Sequence, residues 1–503
     1  MMANQRKIGA LLSYTLSAVQ IIVNLLYVPL LLHTVGSAEY GLFQMIGSII
    51  AYMNVITSTL SAGATRYYSK FLVLNDKQGM VNTIGILKRI YRWANVIITV
   101  ATILAGVAIR IAYAQSFTEW EMTESLLILS LLAINMMVSL NNTISISVIV
   151  ANEKFIFYKA STIVMTVLQP LLVVLGVLFF PYALMVSIMQ LLSNTLIRVW
   201  QHWYAVKRLG MTSAGFTHDP MLQKGILTFS SSIILAMVAD QIFWKTDQLI
   251  LGYFYGPRTV AAYSIGSQIV NSYLPLGIAV SSLFLPKISQ LWHKNHDLHA
   301  ISMLFTRVSR ITLYPLLLVL TGFITFGQTF IHLWAGPEYS VGYWVAVIEL
   351  TPFTIDLMQN VGLTILQVLN RYSFRAYAFF AAAIINIILT ILLVQHYSSI
   401  GAAIASGITI FICSGLIVNF YFSQRIHLEM LGYWKSILSL IIPLILWCVL
   451  GTYIWNCLSL KDSWLTLFAG IVLYSVGYLI ISYFVCMNSY EKAQVHELLR
   501  KLH

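Results

Sequence analysis

The sequence is poor in charged residues. Asp, Glu, Lys and Arg make up only 9% of its 503 residues, whereas soluble domains carry about 25%. A soluble chain of this length could not cover its surface with so few charges, and the 13% aromatic content excludes a disordered chain. Since 59% of the residues are apolar and about 20 apolar residues make one crossing, the composition predicts a polytopic membrane protein.

Cysteine is scarce, and catalytic motifs are absent. The four cysteines form no CxxC pair and lie in or beside apolar segments, as small core residues do. No nucleotide-binding loop, metalloprotease motif or GxSxG elbow occurs. His293, His296 and His299 form HxxHxxH in a charged loop, a spacing more typical of a solvated helix surface than of a metal site. We therefore expect that the protein is not an enzyme and that it has no cofactor and no metal site.

Apolar runs separated by charged or turn-rich breaks predict an all-α membrane protein of about fourteen transmembrane helices. The loops between them are too short for a folded domain on either side of the membrane, so function is expected within the membrane region. The predicted spans lie near residues 9–33, 41–65, 93–113, 125–150, 160–180, 183–204, 225–252, 259–286, 311–334, 341–369, 376–395, 400–424, 436–457 and 463–487.

The basic residues test this span assignment. With the N-terminus in the cytoplasm, 24 of the 29 Lys and Arg residues fall on the inner side; Arg110, Arg258 and Lys461 fall on the outer side, and Arg198 and Lys245 within spans. This asymmetry satisfies the positive-inside rule. It predicts that both termini are cytoplasmic, and it explains the net charge of +12 without nucleic acid as a partner.

A weak internal repeat suggests how the helices are organised. Gly36 matches Gly256 and Phe43 matches Tyr263, both at an offset of 220 residues, and Asn152 matches Asn370 at an offset of 218. Two six-helix lobes in a parallel repeat would explain these offsets. The predicted lobes are residues 1–220 and 221–430, and residues 431–503 hold two further helices and a cytoplasmic tail.

Ionisable residues within spans are the main functional candidates, because burying a charge in a membrane is costly. Asp240 and Asp356 are predicted near mid-membrane and are candidates for ion coupling, together with Glu349. A structural explanation also exists for the others: Arg198 can snorkel to the cytoplasm, Lys245 can pair with Asp240 or Asp247, and Asp247 can fix a helix end.

Two turn motifs carry a family resemblance. The segments VGSAEYGLF (Val35–Phe43) and TDQLILGYFYGPRTVAAYSIGSQI (Thr246–Ile269) resemble the polysaccharide flippase family of the multidrug/oligosaccharidyl-lipid/polysaccharide (MOP) exporter superfamily. The resemblance covers the whole chain, and Asp247 is the one site residue that the motif carries over. It implies a flippase that translocates an undecaprenyl-pyrophosphate-linked oligosaccharide, an O-antigen or exopolysaccharide repeat unit, by alternating access coupled to protons or sodium.

The resemblance also implies a location, partners and a substrate site. The expected location is the bacterial cytoplasmic (inner) membrane, and a polysaccharide polymerase is a candidate partner besides membrane lipids. A multidrug cation exporter of the same superfamily, a lipid II flippase and, ranked last, a membrane glycosyltransferase or polymerase remain as alternatives. The candidate substrate-binding residues are Lys245, Arg198, Asp247, Arg66 and Arg310.

Overall fold

The computed structural model describes residues 2–212, 219–281, 284–295, 297–369, 371–457 and 463–502. Within these ranges every regular element is a helix and no β-strand occurs. Ten helical segments of the described residues are long and apolar enough to cross a membrane. The all-α membrane class is therefore confirmed, whereas the count of fourteen crossings and the lobe arrangement stay predictions.

The helices group into two compact units, Met1–Ala261 and Ala262–His503. The predicted lobe boundary at residues 220/221 stays a prediction. A further helix, α7 (Pro257–Ser281), begins in unit 1 and continues into unit 2. The helices that lie wholly in unit 1 are α1 (Met2–Val73), α2 (Lys77–Ala112), α3 (Glu119–Ala151), α4 (Phe155–Phe179), α5 (Ala183–Leu209) and α6 (Pro220–Tyr255).

The described part of unit 2 contains nine further α-helices, interrupted by π-helical turns at Phe411–Ile417, Phe422–Ile426 and Ser482–Cys486. A short 3-10 turn, Pro337–Tyr339, precedes the third of these helices. The nine are α8 (Leu285–Asn295), α9 (Leu298–Trp334), α10 (Val341–Met358), α11 (Val361–Val368), α12 (Tyr372–Ile410), α13 (Val418–Tyr421), α14 (Met430–Cys457), α15 (Trp464–Ile481) and α16 (Ser489–Leu502).

Two apolar helical segments are about twice the length of one crossing. They are Ala18–Val73, with 56 residues, and Tyr372–Ile426, with 55 residues. Each contains one residue with non-helical backbone angles, Gly36 in the first and Ser398 in the second. Since about 20 residues cross the hydrocarbon layer, each segment is long enough for two crossings joined at that residue.

Two glycines that the predicted repeat matches have similar backbone angles. Gly36 has φ 84° and ψ 171°, and Gly256 has φ 76° and ψ −177°. Positive φ values of this kind favour glycine, because a Cβ atom clashes there. The two matched turn residues thus adopt nearly the same rare conformation.

Local sequence signals account for the helix ends. Asp76 caps α2 by accepting from the Gly79 amide at 2.8 Å, and Asp219 caps α6. Thr118 and Glu121 form a capping box at the start of α3, the arrangement that satisfies two free amides at once. Gly210 ends α5 in the left-handed conformation.

Large apolar side chains cover much of the outer helix surfaces. Leu104 is 64% exposed, Leu473 is 73% exposed and Leu446 is 65% exposed. Helices that are apolar on all faces are those that contact lipid. The polar residues accordingly pack between helices, where they form the contacts described next.

Candidate functional site

The predicted substrate residue Asp247 lies in a polar contact between α1 and α6 in unit 1. The Ser48 hydroxyl donates to Gln248, and the Tyr52 hydroxyl is hydrogen-bonded to Thr246. Asp247 is only 1% exposed, and its charge acts on Tyr52. The motif residue therefore faces α1 rather than lipid, in a seam of hydroxyl and amide groups that suits helix packing in a membrane.

Lys245 and Asp240, on the same helix, interact with each other electrostatically. Lys245 is half-buried and Asp240 is exposed. Gln241 also donates to Asp240 at 3.4 Å. The predicted substrate-binding residue Lys245 therefore interacts with the predicted coupling residue Asp240. The sequence had left open whether Lys245 pairs with Asp240 or with Asp247.

Arg198 lies on α5 beside a buried polar layer between α3, α4 and α5. Asn194 donates to Asn135 at 3.0 Å, and Asn142 donates to Gln201 at 2.7 Å. Arg198 is half-buried, and its Nε atom is buried without a hydrogen-bond partner among the described residues. A buried cation with an unused donor is suited to binding an anion.

Arg66 lies near the end of α1. Its side chain is exposed, and its guanidinium carbon lies 4.4 Å from the ring centroid of Phe229 on α6. A guanidinium over a ring is held by a cation–π attraction. The exposed side chain of Arg66 remains accessible to an anion.

Glu349, on α10 of unit 2, is 2% exposed. The hydroxyl of Tyr263 on α7 donates to its Oε1 atom at 2.8 Å. Tyr273 and Thr354 make a second bond between these helices at 2.7 Å. This predicted coupling carboxylate therefore belongs to a buried contact between α7 and α10.

Asp356 lies beside a break in the predicted span 341–369, which the structure divides into α10 and α11. Arg375, from the start of α12, donates to its Oδ1 atom at 3.1 Å, and Ser414, from a π-helical turn, donates at 2.6 Å. Both ion-pair side chains are 14% exposed. The charge of Asp356 is thus neutralised by Arg375, which the predicted topology had placed on the inner side of the membrane.

Arg310 is engaged by the C-terminal helix. It is 3% exposed, and its Nε and Nη2 atoms donate to the two Glu491 oxygens at 2.6 and 3.0 Å. Nη2 also donates to the Cys486 carbonyl at 2.8 Å. A cavity of about 270 Å³ lies beside the pair, with Arg307 and Glu429 in its lining. This engagement favours a structural role for Arg310 over the predicted role in substrate binding.

Glu491 lies outside the apolar segments, at the start of α16. Burial would raise the pKa of this carboxyl, but the hydrogen bonds from Arg310 and from the Asn488 amide outweigh burial and hold its pKa below the usual range. Glu491 is therefore ionised at neutral pH, and the contact with Arg310 is a true ion pair.

Within each unit, several predicted site residues lie beside a charged partner. Asp240 joins Lys245, whereas Asp356 and Arg310 join Arg375 and Glu491, which the sequence reasoning missed. Arg375 was one of the basic residues in the positive-inside count, and Glu491 lies in the predicted tail, but their partners lie 19 and 181 residues away in sequence. Of HxxHxxH, His296 lies outside the described residues. Elsewhere in the described ranges, no group of three or more His, Cys, Asp or Glu side chains could hold a metal ion.

Comparisons with curated proteins give distant relatives. The chain is 22% identical over 227 residues to a probable low-salt glycan biosynthesis flippase, Agl15, of Haloferax volcanii, covering 43% of this chain and 46% of the relative. It is 24% identical over 196 residues to an uncharacterized membrane protein of Methanocaldococcus jannaschii, covering 38% of each. The chain thus matches less than half the length of either relative.

Solved structures share the fold over nearly the whole chain. The lipid II flippase MurJ, in an inward closed conformation, superposes with a TM-score of 0.71 at 14% identity, covering 94% of this chain and 98% of MurJ. An inward-facing multidrug resistance MATE transporter of the MOP superfamily gives 0.62 at 12% identity, covering 82% and 95%. The fold is therefore that of MOP transporters.

A family profile covers more than half of the sequence. The profile described as "polysaccharide biosynthesis protein" matches residues 35–343. This range includes both turn motifs and six of the eight predicted site residues, all except Glu349 and Asp356. The resemblance seen in the turns is therefore confirmed: this chain belongs to the polysaccharide biosynthesis protein family, with the fold of the MOP exporter superfamily.

Proposed function

We propose that this protein is a flippase that moves an undecaprenyl-pyrophosphate-linked oligosaccharide, an O-antigen or exopolysaccharide repeat unit, across the bacterial inner membrane. The observation that carries the proposal is Arg198, a half-buried cation with an unused buried donor in a family of polysaccharide biosynthesis proteins. A pyrophosphate headgroup cannot cross hydrocarbon unaided, and charge-assisted hydrogen bonds would hold its oxygens. Lys245 would supply a second cation, and Arg66 would attract the headgroup at the entrance.

Transport would proceed by alternating access coupled to a proton or sodium gradient. Asp240 is the strongest coupling candidate, because it is exposed on α6 and interacts electrostatically with Lys245. Asp356 lies beside a broken helix, a feature of ion sites in secondary transporters. Glu349 is the third candidate. A gradient of one pH unit supplies about 1.4 kcal/mol per proton.

The test is flipping of lipid-linked oligosaccharide by the reconstituted protein, with and without an imposed ion gradient. Asp240→Asn and Asp356→Asn are expected to give folded protein that no longer responds to the gradient. Asp219→Asn is the matched control, since it makes the same change on α6 at a helix cap, where Asn serves as well as Asp. Wild-type flipping that ignores every gradient would refute the coupling.

The charge requirement has its own test. Arg198→Gln should slow flipping of the pyrophosphate-linked substrate more than Arg198→Lys, because Lys keeps the charge although it loses the planar set of donors. Equal flipping by wild type and Arg198→Gln would contradict a role in binding the headgroup.

Lipid II transport is the second candidate, and the fold likeness to MurJ over 94% of the chain favours it. Lipid II carries the same kind of polyprenyl pyrophosphate, so the cations serve both substrates. Complementation of a strain depleted of its lipid II flippase separates the two: rescue supports lipid II, and loss of surface polysaccharide without rescue supports the repeat unit. Drug-resistance profiling tests the multidrug alternative.

The membrane orientation follows from the basic residues. A reporter fused after His503 should signal cytoplasm, and one inserted near Thr118 should signal the outer side. A cytoplasmic signal at Thr118 would refute the predicted topology. A polysaccharide polymerase, the candidate partner, would receive the flipped repeat unit on that outer side, and co-purification of a polymerase with the protein tests this.

A further inference from the structure

Two glutamates that neither the proposed transport route nor the predicted site uses meet at one end of unit 1. Glu39 lies just after the Gly36 turn in α1, and Glu124 lies in the second turn of α3. Both reach the first residues of α5, which begins at Ala183. The predicted topology puts this end of the unit at the outer face of the membrane.

Both carboxyl groups cap the same helix. The Ala183 amide donates to Glu39 Oε2 at 2.7 Å, and the next amide, that of Leu184, donates to Glu124 Oε1 at 2.8 Å. The N-cap residue of α5, Tyr182, makes no side-chain cap of its own. Free amides at a helix start need acceptors, and here two other helices supply them.

The arrangement leaves one buried acceptor unused. Glu124 is 0% exposed, and its Oε2 atom has no hydrogen-bond donor among the described residues. The Glu124 and Glu39 carboxyl groups are within hydrogen-bonding reach of each other. Two carboxylates cannot make such a bond unless one carries a proton, and two like charges in contact repel strongly.

The charges that act on Glu124 do not neutralise it. The charged groups that act on Glu124 are Glu39 from α1 and Glu121 from α3, both acidic. The first turn of α5 reads Ala-Leu-Met-Val and brings no charge. Two tyrosines also lie on these elements: Tyr40 accepts a hydrogen bond from Gln44, and Tyr182 contacts the ring of Trp120. Arg258, which is exposed, follows Pro257, whose carbonyl oxygen lies against Gly41 of α1.

We propose that Glu39 and Glu124 form a proton-binding site in which a single shared proton ties the ends of α1, α3 and α5 together. The proton satisfies Glu124 Oε2 and removes the repulsion between the two carboxylates. When the proton leaves to water at that end of the unit, two negative charges remain in contact and the three helix ends separate. The outer pH thereby controls how firmly this end of unit 1 is closed.

The experiment measures the thermal midpoint of the purified full-length protein from about pH 5 to about pH 9. The wild-type midpoint should fall as the pH rises, with the unfolding equilibrium constant rising by up to about tenfold per pH unit while one proton is bound in the folded state alone. Glu124→Gln should remove this dependence. Its side-chain oxygen still accepts from Leu184, and its amide donates to Glu39 as the proton does.

Glu119→Gln is the matched control, in the first turn of the same helix. Glu119 is exposed and is not among the groups that act on Glu124, so this variant should keep the wild-type pH profile. If wild type and Glu124→Gln share one profile, the proposal is wrong. It is equally wrong if sodium at fixed pH shifts the wild-type midpoint whereas pH does not, because the site would then hold a metal cation.

A second measurement covers the case in which Glu124→Gln does not fold. Infrared difference spectroscopy of the wild-type protein should show the carbonyl band of a protonated carboxyl that disappears as the pH is raised, and Glu39→Gln should remove that band. A wild-type protein without this band at mildly acidic pH would overturn the proposal.

Discussion

The attachment of α16 to α9 gives a sharp quantitative prediction. Arg310 and Glu491 are separated by 181 residues and form a two-point ion pair whose side chains are each 4% exposed. Tyr314 also donates to Glu491 at 3.0 Å. Changing Glu491 to Gln removes the negative charge but keeps the size of the side chain, so the variant isolates the charge.

The expected cost is large because Arg310 remains buried. Removing one partner of a buried ion pair costs about 3–5 kcal/mol, and the Arg310 contacts to Cys486 and to Ser436 cannot neutralise its charge. An exposed pair gives the contrast. His299 and Glu429 are 65% and 60% exposed, and breaking such a solvent-screened pair should leave the stability nearly unchanged.

The assay is thermal unfolding of the purified protein, combined with limited trypsin digestion at Lys492 and Arg500 in α16. Glu491→Gln should lower the midpoint and speed cleavage in α16, whereas Glu429→Gln should do neither. Arg310→Met alone and together with Glu491→Gln completes a double-mutant cycle, with a coupling energy of up to about 3 kcal/mol expected. If Glu491→Gln is as mild as Glu429→Gln and α16 stays resistant, the pair does not hold the helix.

Three further predictions can be tested with the same protein. The pKa of Glu491 is held low, so the stability from its ion pair should be complete above the unfolded value of about 4.3 and be lost as the pH falls through the folded value, which a melting series in acid measures. Gly41→Ala should lose about 3 kcal/mol or more of unfolding free energy, because its Cβ would lie 1.8 Å from the Pro257 carbonyl oxygen; Gly47→Ala, with nothing within 4 Å, should not, and the melting midpoints decide. Lys245→Ala should reduce surface polysaccharide more than Lys245→Arg at equal protein level, and equal polymer from wild type and Lys245→Ala would leave Lys245 as a partner of Asp240 only.

The sequence predicted the fold class because hydropathy acts locally. Each apolar run is long enough to cross the membrane. The two turn glycines, Gly36 and Gly256, can be recognised from their sequence motifs and from their offset. The break between α10 and α11 was not predicted. The residues around Gln359 stay apolar enough to read as one span, and the turn there depends on side-chain bonds such as that from Gln359 to Asn419, at 3.1 Å.

Pairings between distant residues account for most of what the sequence did not reveal about the site. Asp356 was a coupling candidate, together with Asp240, because a carboxylate near mid-membrane is costly, yet Arg375 compensates the charge of Asp356 at 3.1 Å. Glu39 and Glu124 were not among the candidates, since no local pattern shows that the start of α5 contacts both of them. Residue type predicted which charged groups are costly to bury. Only the packing of the helices shows which of these buried charges have a compensating partner.

These pairings indicate which cations could bind a phosphate group. A buried cation next to a carboxylate attracts an anion weakly, because the two charges largely cancel. Arg310 and Arg375 are neutralised by Glu491 and Asp356 in this way, and Lys245 shares its charge with Asp240. Arg198 differs, since its buried Nε donor has no hydrogen-bond partner among the described residues. If a pyrophosphate passes through unit 1, Arg198 is the half-buried candidate with a donor left to bind it, alongside the exposed Arg66, and substitution of Arg198 is therefore the first experiment to perform.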